Sequence, residues 1–319
     1  MLPFVRILGR SLLLLAVLCA GAVGVHLLTF SASGSDTDLD YQRHFNESYK
    51  IFSLTLPNDL SFCGEAVPLQ KLDVRERLDR ELLVNTYWQS NSLLAHKRAH
   101  RWFPVIEPIL AREGVPDDMK YLALIESGLT NVVSPVGATG YWQFMKETGI
   151  KYGLEVNGEV DERYNVVRST EAACAYLKEA HDKYGSWALA AASYNLGPNG
   201  LEKQLGRQKN NDYFALQLPE ETSRYVFRML AMKEIISDPE RYGFHMREKD
   251  LYPPYLTRTV TLSGPVEDLN DFAVHQGTDY RMLKLLNPWL RDIKLTNPKG
   301  NTYTLLLPAD GFDKAVGDE

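Results

Sequence analysis

Cysteine is nearly absent from this chain: 319 residues hold three, Cys19, Cys63 and Cys174. A disulfide framework is therefore excluded as the main source of stability. Cys174, inside "STEAACAYLKEA", reads as a small buried side chain. A basic excess is also missing. Lysine and arginine number 35 against 41 acidic residues, a formal charge of −6, which disfavours a nucleic-acid partner because phosphate binding needs a positive surface. Metal-ligand spacing is thin as well. His96 and His100 stand one helical turn apart, but no third ligand lies nearby, and zinc sites need three or four. No metal and no cofactor is expected.

What the chain does have is apolar material for a real core. It is 45% hydrophobic and 24% charged, which at this length implies one main domain and a smaller module. Seventeen Tyr and five Trp supply flat side chains with hydrogen-bonding edges, as suited to sugar rings as to a core. The first thirty residues stand apart. Arg6 and Arg10 precede "SLLLLAVLCAGAVGVHLLTF", Ser11 to Phe30, which reads as an export signal and is also long enough to remain as a membrane anchor. Small residues at 31–33, "SAS", offer a cleavage site. Cys19 follows Leu18 where lipidation would want a small residue, so it reads as an apolar helix position. Removing this segment takes away two arginines and no acids, leaving 33 basic against 41 acidic residues, a charge near −8.

Past a polar stretch, apolar residues recur with helical spacing from Leu72 to about His100, through Leu78, Leu82, Leu83, Tyr87, Leu93 and Leu94. A second helix is expected from Phe103 to Glu113, ended by "EGVP". The third begins at "PDDMKYLALIES", where Pro116 and two aspartates suit a helix N-terminus. Met119, Leu122, Ala123 and Glu126 fall at i, i+3, i+4 and i+7. Glu126 therefore lies along the apolar stripe. Burial disfavours an ionised carboxyl, so its pKa should rise toward neutrality, as a general acid requires. On this helix alone, a solvent-facing helix end is an equal alternative. The next stretch, "SPVGATGYWQFM", tips the balance, because Gly137, Ala138 and Gly140 permit a close backbone approach before Trp142 and Gln143.

Downstream, Ser169 or Thr170 is expected to cap a helix bearing Ala172, Ala173, Tyr176, Leu177, Ala180 and Tyr184, closed by Gly185. An alanine-rich helix, "SWALAAASYNLG", should start at Ser186 and stop at Gly197, placing Tyr194 and Asn195 at its C-terminus. "LPEETSRYVFRMLAMKEII" makes a last helix with Tyr225, Met229, Met232 and Ile236 on one stripe and Glu221 in its first turn.

The ordered set Glu126-Ser127, "SPVGATGYWQFM", "AASYNLG" and "ETSRYV" resembles the lytic transglycosylase family with a goose-lysozyme-like fold. More narrowly, "VDERYNVVRST" and "AACAYLKEAHDKYGSWALAAASYN" look like the membrane-bound lytic murein transglycosylase D type. The likeness runs from about Arg101 to Gly243. It implies a mainly α, lysozyme-like catalytic domain acting on peptidoglycan. It also implies that Glu126 is the single acid/base, cleaving between N-acetylmuramic acid and N-acetylglucosamine and closing a 1,6-anhydro ring without water. By the same matching, Ser127 is an orienting hydroxyl. Ser134 and Gln143 lie along the glycan cleft, Tyr194 and Asn195 contact sugar, and Glu221 and Tyr225 belong to the family's "ETxxYV"-like helix start. Ser193 and Ser223 depart from the family's usual Ala and Arg, which puts cleft contacts near Ser223 in question.

Beyond Phe244 a proline-containing connector leads to "TRTVTL", two short helices and "TYTLLLP". This strand-helix-helix-strand order resembles a LysM module, although "GPVEDL" replaces the usual Gly-Asp-Thr-Leu turn. Glycan binding and mere packing against the catalytic domain are equally open for it. The expected division is 1–30 leader or anchor, 31–100 linker and helical region, 101–245 catalytic domain, 246–256 connector and 257–308 LysM-like module, a small α+β unit. The expected location is the periplasm or cell envelope. Two readings compete: a water-using muramidase, needing a second carboxylate such as Asp161 or Glu221, and a non-catalytic cell-wall scaffold.

Overall fold

Helices with apolar residues on every side can only be central, and two such helices organise the larger domain. The computed structural model describes residues 39–40, 43, 47 and 51–312. The apolar leader, with Cys19 and the "SAS" site, lies outside the described residues. From Leu54 onward the chain is one compact unit. Before it, the described positions Leu39, Asp40, Arg43 and Glu47 are helical. Among the described residues, ten α-helices and two small antiparallel strand pairs follow in order. The first pair, β1 (Ser61–Phe62) and β2 (Glu65–Ala66), precedes α1 (Leu72–Tyr87) and α2 (Gln89–Glu113). Then come α3 (Lys120–Ser127), α4 (Lys146–Lys151), α5 (Val166–Tyr184), α6 (Trp187–Leu196), α7 (Pro198–Gln208) and α8 (Glu220–Ser237).

The two central helices are α3 and α6. Tyr121, Leu122, Ala123 and Leu124 are all buried in α3, as are Ala188 to Ser193 in α6. Alanine on every side of α6 lets α5 and α8 approach it closely, the packing expected of small residues at a helix contact. Leu122 is fully buried, so Leu122→Ala should cost about 2–5 kcal/mol, a transfer loss plus a cavity. Helix α8 is tied to α1 by charge. Glu81, 1% exposed, accepts from Arg224 Nε at 2.7 Å and pairs with Arg80, because a buried carboxylate persists only when paired.

Several boundaries differ from expectation. The first long helix breaks at Trp88 (φ −91°, ψ 58°), not after His100, and α2 runs through Pro104 and Pro108. Both prolines stand on its exposed face, where water can satisfy the carbonyls that a proline leaves unpaired. Ser92 Oγ donates to Asn85 O at 2.5 Å, closing the break. The cap of α5 is Asn165, whose side chain accepts from the amides of Val167 and Arg168. Ser169 and Thr170 are buried within the helix instead. Gly185 and Gly197 end α5 and α6 and Ser186 caps α6, as the sequence implies. Helix α7, with Pro198 at its start, was not anticipated.

The C-terminal module has the expected order: β3 (Thr257–Leu262), α9 (Leu269–His275), α10 (Tyr280–Leu286) and β4 (Tyr303–Pro308). The strands pair antiparallel from Thr257 with Pro308 to Leu262 with Tyr303. Tyr303, Leu305 and Leu307 alternate inward along β4. They form a separate small core with Leu269, Ala273, Leu283, Trp289 and Leu290.

Candidate active site

Glu126 sits in the last turn of α3, which Gly128 closes in the left-handed conformation (φ 61°). Its stripe partners Met119, Leu122 and Ala123 are fully buried, so the carboxyl rises out of the core half-buried. Burial pushes its pKa above the ordinary glutamate value. A hydrogen bond from Tyr225 and the charge of Arg228 oppose this, while the Glu221 carboxylate adds to it. Tyr225 reaches Glu126 Oε1 from α8 with its phenol. That phenol is fully buried and pushed well up by burial and the adjacent carboxyl, so it stays a donor. Arg228, one turn further along α8, donates to Ile125 O at 2.8 Å.

The loop after α3 encloses this helix end. Ser127 Oγ donates to Tyr141 O at 2.8 Å and to Ala123 O at 3.1 Å, fastening α3 to the loop. Trp142 is fully buried, its Nε1 donating to Thr170 Oγ1 at 2.8 Å. Its carbonyl accepts from Tyr194 OH at 2.7 Å. Tyr194 is raised chiefly by burial and then by the Glu126 charge, so this phenol too faces the carboxyl's field. Gly140 (φ 82°) is required: a Cβ there would fall 1.9 Å from Arg163 O. The close approach foreseen for this loop is thus made by its own chain. Gly137 has open space around it.

The other residues singled out from the sequence are placed as follows. Ser134 Oγ accepts from Ala138 N at 3.0 Å, folding the loop tip. Gln143 adopts φ 50°, and its Nε2 donates to Gly140 O at 2.8 Å and Val132 O at 3.0 Å. Asn195 Nδ2 reaches Glu221 Oε1 at 3.3 Å, and its Oδ1 accepts from Thr222 Oγ1 at 2.7 Å. Glu221 is exposed. Val132, Val133, Val136 and Met145 leave an exposed apolar rim on the same loop. Ser193 is buried and accepts from Tyr176 OH at its carbonyl, 2.7 Å. Ser223 Oγ turns to Glu220 O, 2.8 Å.

Asp161, one suggested partner acid, is held by Arg163 in a two-pronged pair, Nε to Oδ1 at 2.9 Å and Nη2 to Oδ2 at 2.7 Å. Both groups are buried, which leaves that carboxylate committed. His96 is buried beside Phe244, and burial pulls its pKa down to about 4. Among the described residues no cluster of His, Cys, Asp and Glu could hold a metal ion. No helix among them is long and apolar enough to cross a membrane.

Sequence reasoning passed over Arg228, Arg163 and Thr170, each of which supports the site. Arg228 follows Tyr225 by three positions on the same helix, a signal available once Tyr225 was noticed. Thr170 gave no such signal, since its partner Trp142 is 28 residues away.

The half-buried carboxyl at the end of a central helix, held by a phenol and wrapped by a glycine-bearing loop, stands in a mainly helical domain of lysozyme-like fold. Residues 104–217 match the family described as transglycosylase SLT domain, and residues 258–311 the soluble lytic transglycosylase C-terminal LysM-like domain. The chain therefore carries an SLT-type transglycosylase domain followed by a LysM-like C-terminal domain. Among its relatives is membrane-bound lytic murein transglycosylase D of Escherichia coli (strain K12), 29% identical over 310 residues, which is 94% of this chain and 67% of that protein. The protein of the same name from Escherichia coli O6:H1 is similar to the same extent. A tributyltin chloride resistance protein of Alteromonas sp. (strain M-1) is 26% identical over 115 residues, 35% of this chain and 56% of the other.

Proposed function

We propose that this protein is a peptidoglycan lytic transglycosylase. It cleaves the β-1,4 bond between N-acetylmuramic acid and N-acetylglucosamine and leaves 1,6-anhydro ends. The carrying observation is the desolvated carboxyl of Glu126, hydrogen-bonded by the phenol of Tyr225. Burial raises the carboxyl's pKa above the ordinary glutamate value and so favours the protonated form, which can protonate the glycosidic oxygen. The resulting carboxylate then takes the proton of the muramic acid C6 hydroxyl, and that oxygen closes the ring. Tyr225 occupies Oε1, which leaves Oε2 for the substrate. The bond it donates steadies the ionised form between the two steps.

Peptidoglycan as the substrate is supported by the two domain matches and the relatives' names. In this reading Ser127 orients the end of α3, and Ser134, Gln143, Asn195 and Glu221 border the glycan. Tyr194 and Tyr225 set the field around the acid. A protein acting on this polymer works in the cell envelope, and the apolar N-terminal segment serves as its export signal or anchor.

For the muramidase alternative, Glu221 is exposed while Asp161 is paired with Arg163, which favours Glu221 as the second carboxylate. Mass spectrometry of muropeptides released from purified sacculi decides between them. Anhydro ends, each one water lighter than a hydrolysed end, are expected. Reducing ends throughout would overturn the transglycosylase reading, and no release by wild type, with Glu126→Gln equal to it, would leave only a scaffold.

A further inference from the structure

The C-terminal module reaches the active site through one segment of the catalytic domain. Val160, between α4 and α5, is 1% exposed and lies in the core of the module, not in that of its own domain. Around it the two units share backbone bonds: Asp161 N donates to Trp289 O at 2.9 Å and Arg291 N to Glu159 O at 2.7 Å. Thr296 N donates to Glu159 Oε2 at 2.7 Å and Tyr303 OH to Glu155 Oε2 at 2.8 Å. The module's core is thus completed by a residue it does not own.

Three positions further on, the same segment grips the catalytic loop. While two arms of Arg163 hold Asp161, its Nη1 donates to Phe144 O at 3.1 Å and Gly137 O at 3.3 Å. These are the two ends of the loop whose middle carbonyls, Tyr141 O and Trp142 O, hold Ser127 and Tyr194 beside Glu126. Gly140 rests directly on the Arg163 backbone. A buried guanidinium with all its arms engaged has one geometry, so a displacement of residues 159–163 must carry the loop with it.

We propose that Arg163 is a positioning residue for the Glu126 site, and that docking of the C-terminal module over Val160 fixes where it stands. The module then acts on turnover. This inference rests on the transglycosylase reading.

The test uses the full chain on soluble, un-cross-linked glycan strands, measuring kcat, KM and thermal melting. Hydrogen exchange at the Asp161 and Arg291 amides reports docking. Val160→Asp puts a charge into the module's core. It should speed exchange at both amides and lower kcat on the order of tenfold to a hundredfold, the cost of about an ångström of misplacement, with KM nearly unchanged. Arg163→Lys keeps the charge but loses the fork. It should lower kcat similarly while leaving exchange at Arg291 slow. Val160→Ile should behave as wild type, and Val160→Ala gives a milder version if the aspartate variant does not fold. Fast exchange with wild-type kcat, or a loss confined to KM, would overturn the proposal. A wild-type chain that leaves the strands uncut would instead defeat the reading of function beneath it.

Discussion

The Glu126 site and the junction between the catalytic domain and the module are opposites. The junction holds a cavity of about 790 Å³ lined by Trp102, Tyr164, Tyr255, Trp289 and other residues of both units, yet Glu126 does not line it. The charges around that cavity are spent on each other: Arg168 pairs with Glu162 and Glu171, and Glu155 accepts from Tyr303 and Asn301. At Glu126 one carboxyl takes its hydrogen bond from a phenol and not from a cation, and burial outweighs that bond to hold its pKa above the ordinary value. A volume suited to a ligand and a group suited to proton transfer are thus found in different places. For a polymer substrate the second is the better guide, because a long strand needs a groove open at both ends and one poised acid.

The strongest way to break this contrast is to remove the acid. Glu126→Gln should lower turnover of sacculi about 10²- to 10⁴-fold, the range for loss of a general acid. Leu285→Ala and Thr304→Ala, which face the junction cavity, should stay within about twofold of wild type, as surface changes usually do. If the junction variants lost activity comparably, the chemistry would belong to the junction cavity. Tyr225→Phe sharpens the same contrast by keeping the acid and removing its donor. Turnover should fall on the order of tenfold, the scale of one lost hydrogen bond to a charged group. Because that bond favours the ionised carboxyl, its loss raises the Glu126 pKa further, and the basic limb of the kcat/KM profile should move to higher pH. A limb that stays fixed or moves down would mean that Tyr225 does not bond the carboxyl.

Glu221→Gln should have a smaller effect of opposite sign. The Glu221 charge favours the protonated form of Glu126, so its removal should shift the basic limb to lower pH. Glu221 is exposed, and high salt should shrink the shift by screening. A loss as deep as that of Glu126→Gln would point to a second working carboxylate and to water as nucleophile.

The local parts of this site were legible in the sequence. The i, i+3, i+4, i+7 spacing from Met119 to Glu126 placed the acid on the apolar stripe, and glycines 185 and 197 marked helix ends. What failed to show was long-range or unpunctuated. Trp88 interrupts a run whose periodicity continues through it, with no proline or glycine to mark the break. Asn165 captures the cap of α5 because its side chain meets two free amides, while Ser169 and Thr170, equally good caps by type, are taken into the core by Trp142 and α5 itself. Gly140 announced a close approach but not its partner, Arg163, which arrives 23 positions later. The bond between Tyr225 and Glu126 spans 99 residues, and no periodicity carries information across such a distance.

The smallest effect tests the same burial by stability in place of rate. A carboxyl whose folded-state pKa is raised stabilises the fold fully below the ordinary glutamate pKa, and that contribution is lost as pH rises through the raised value. Glu126 is such a group, and Glu126→Gln carries no charge to desolvate. The variant's melting temperature, relative to wild type, should therefore climb as pH rises from about 4 and level off once wild-type Glu126 is ionised, a gain of a few degrees at most. Calorimetry across that range checks the sign. A gain that instead grew toward acid pH would show that the fold prefers the carboxylate, and with it that Glu126 is solvated well enough to be an ordinary surface acid.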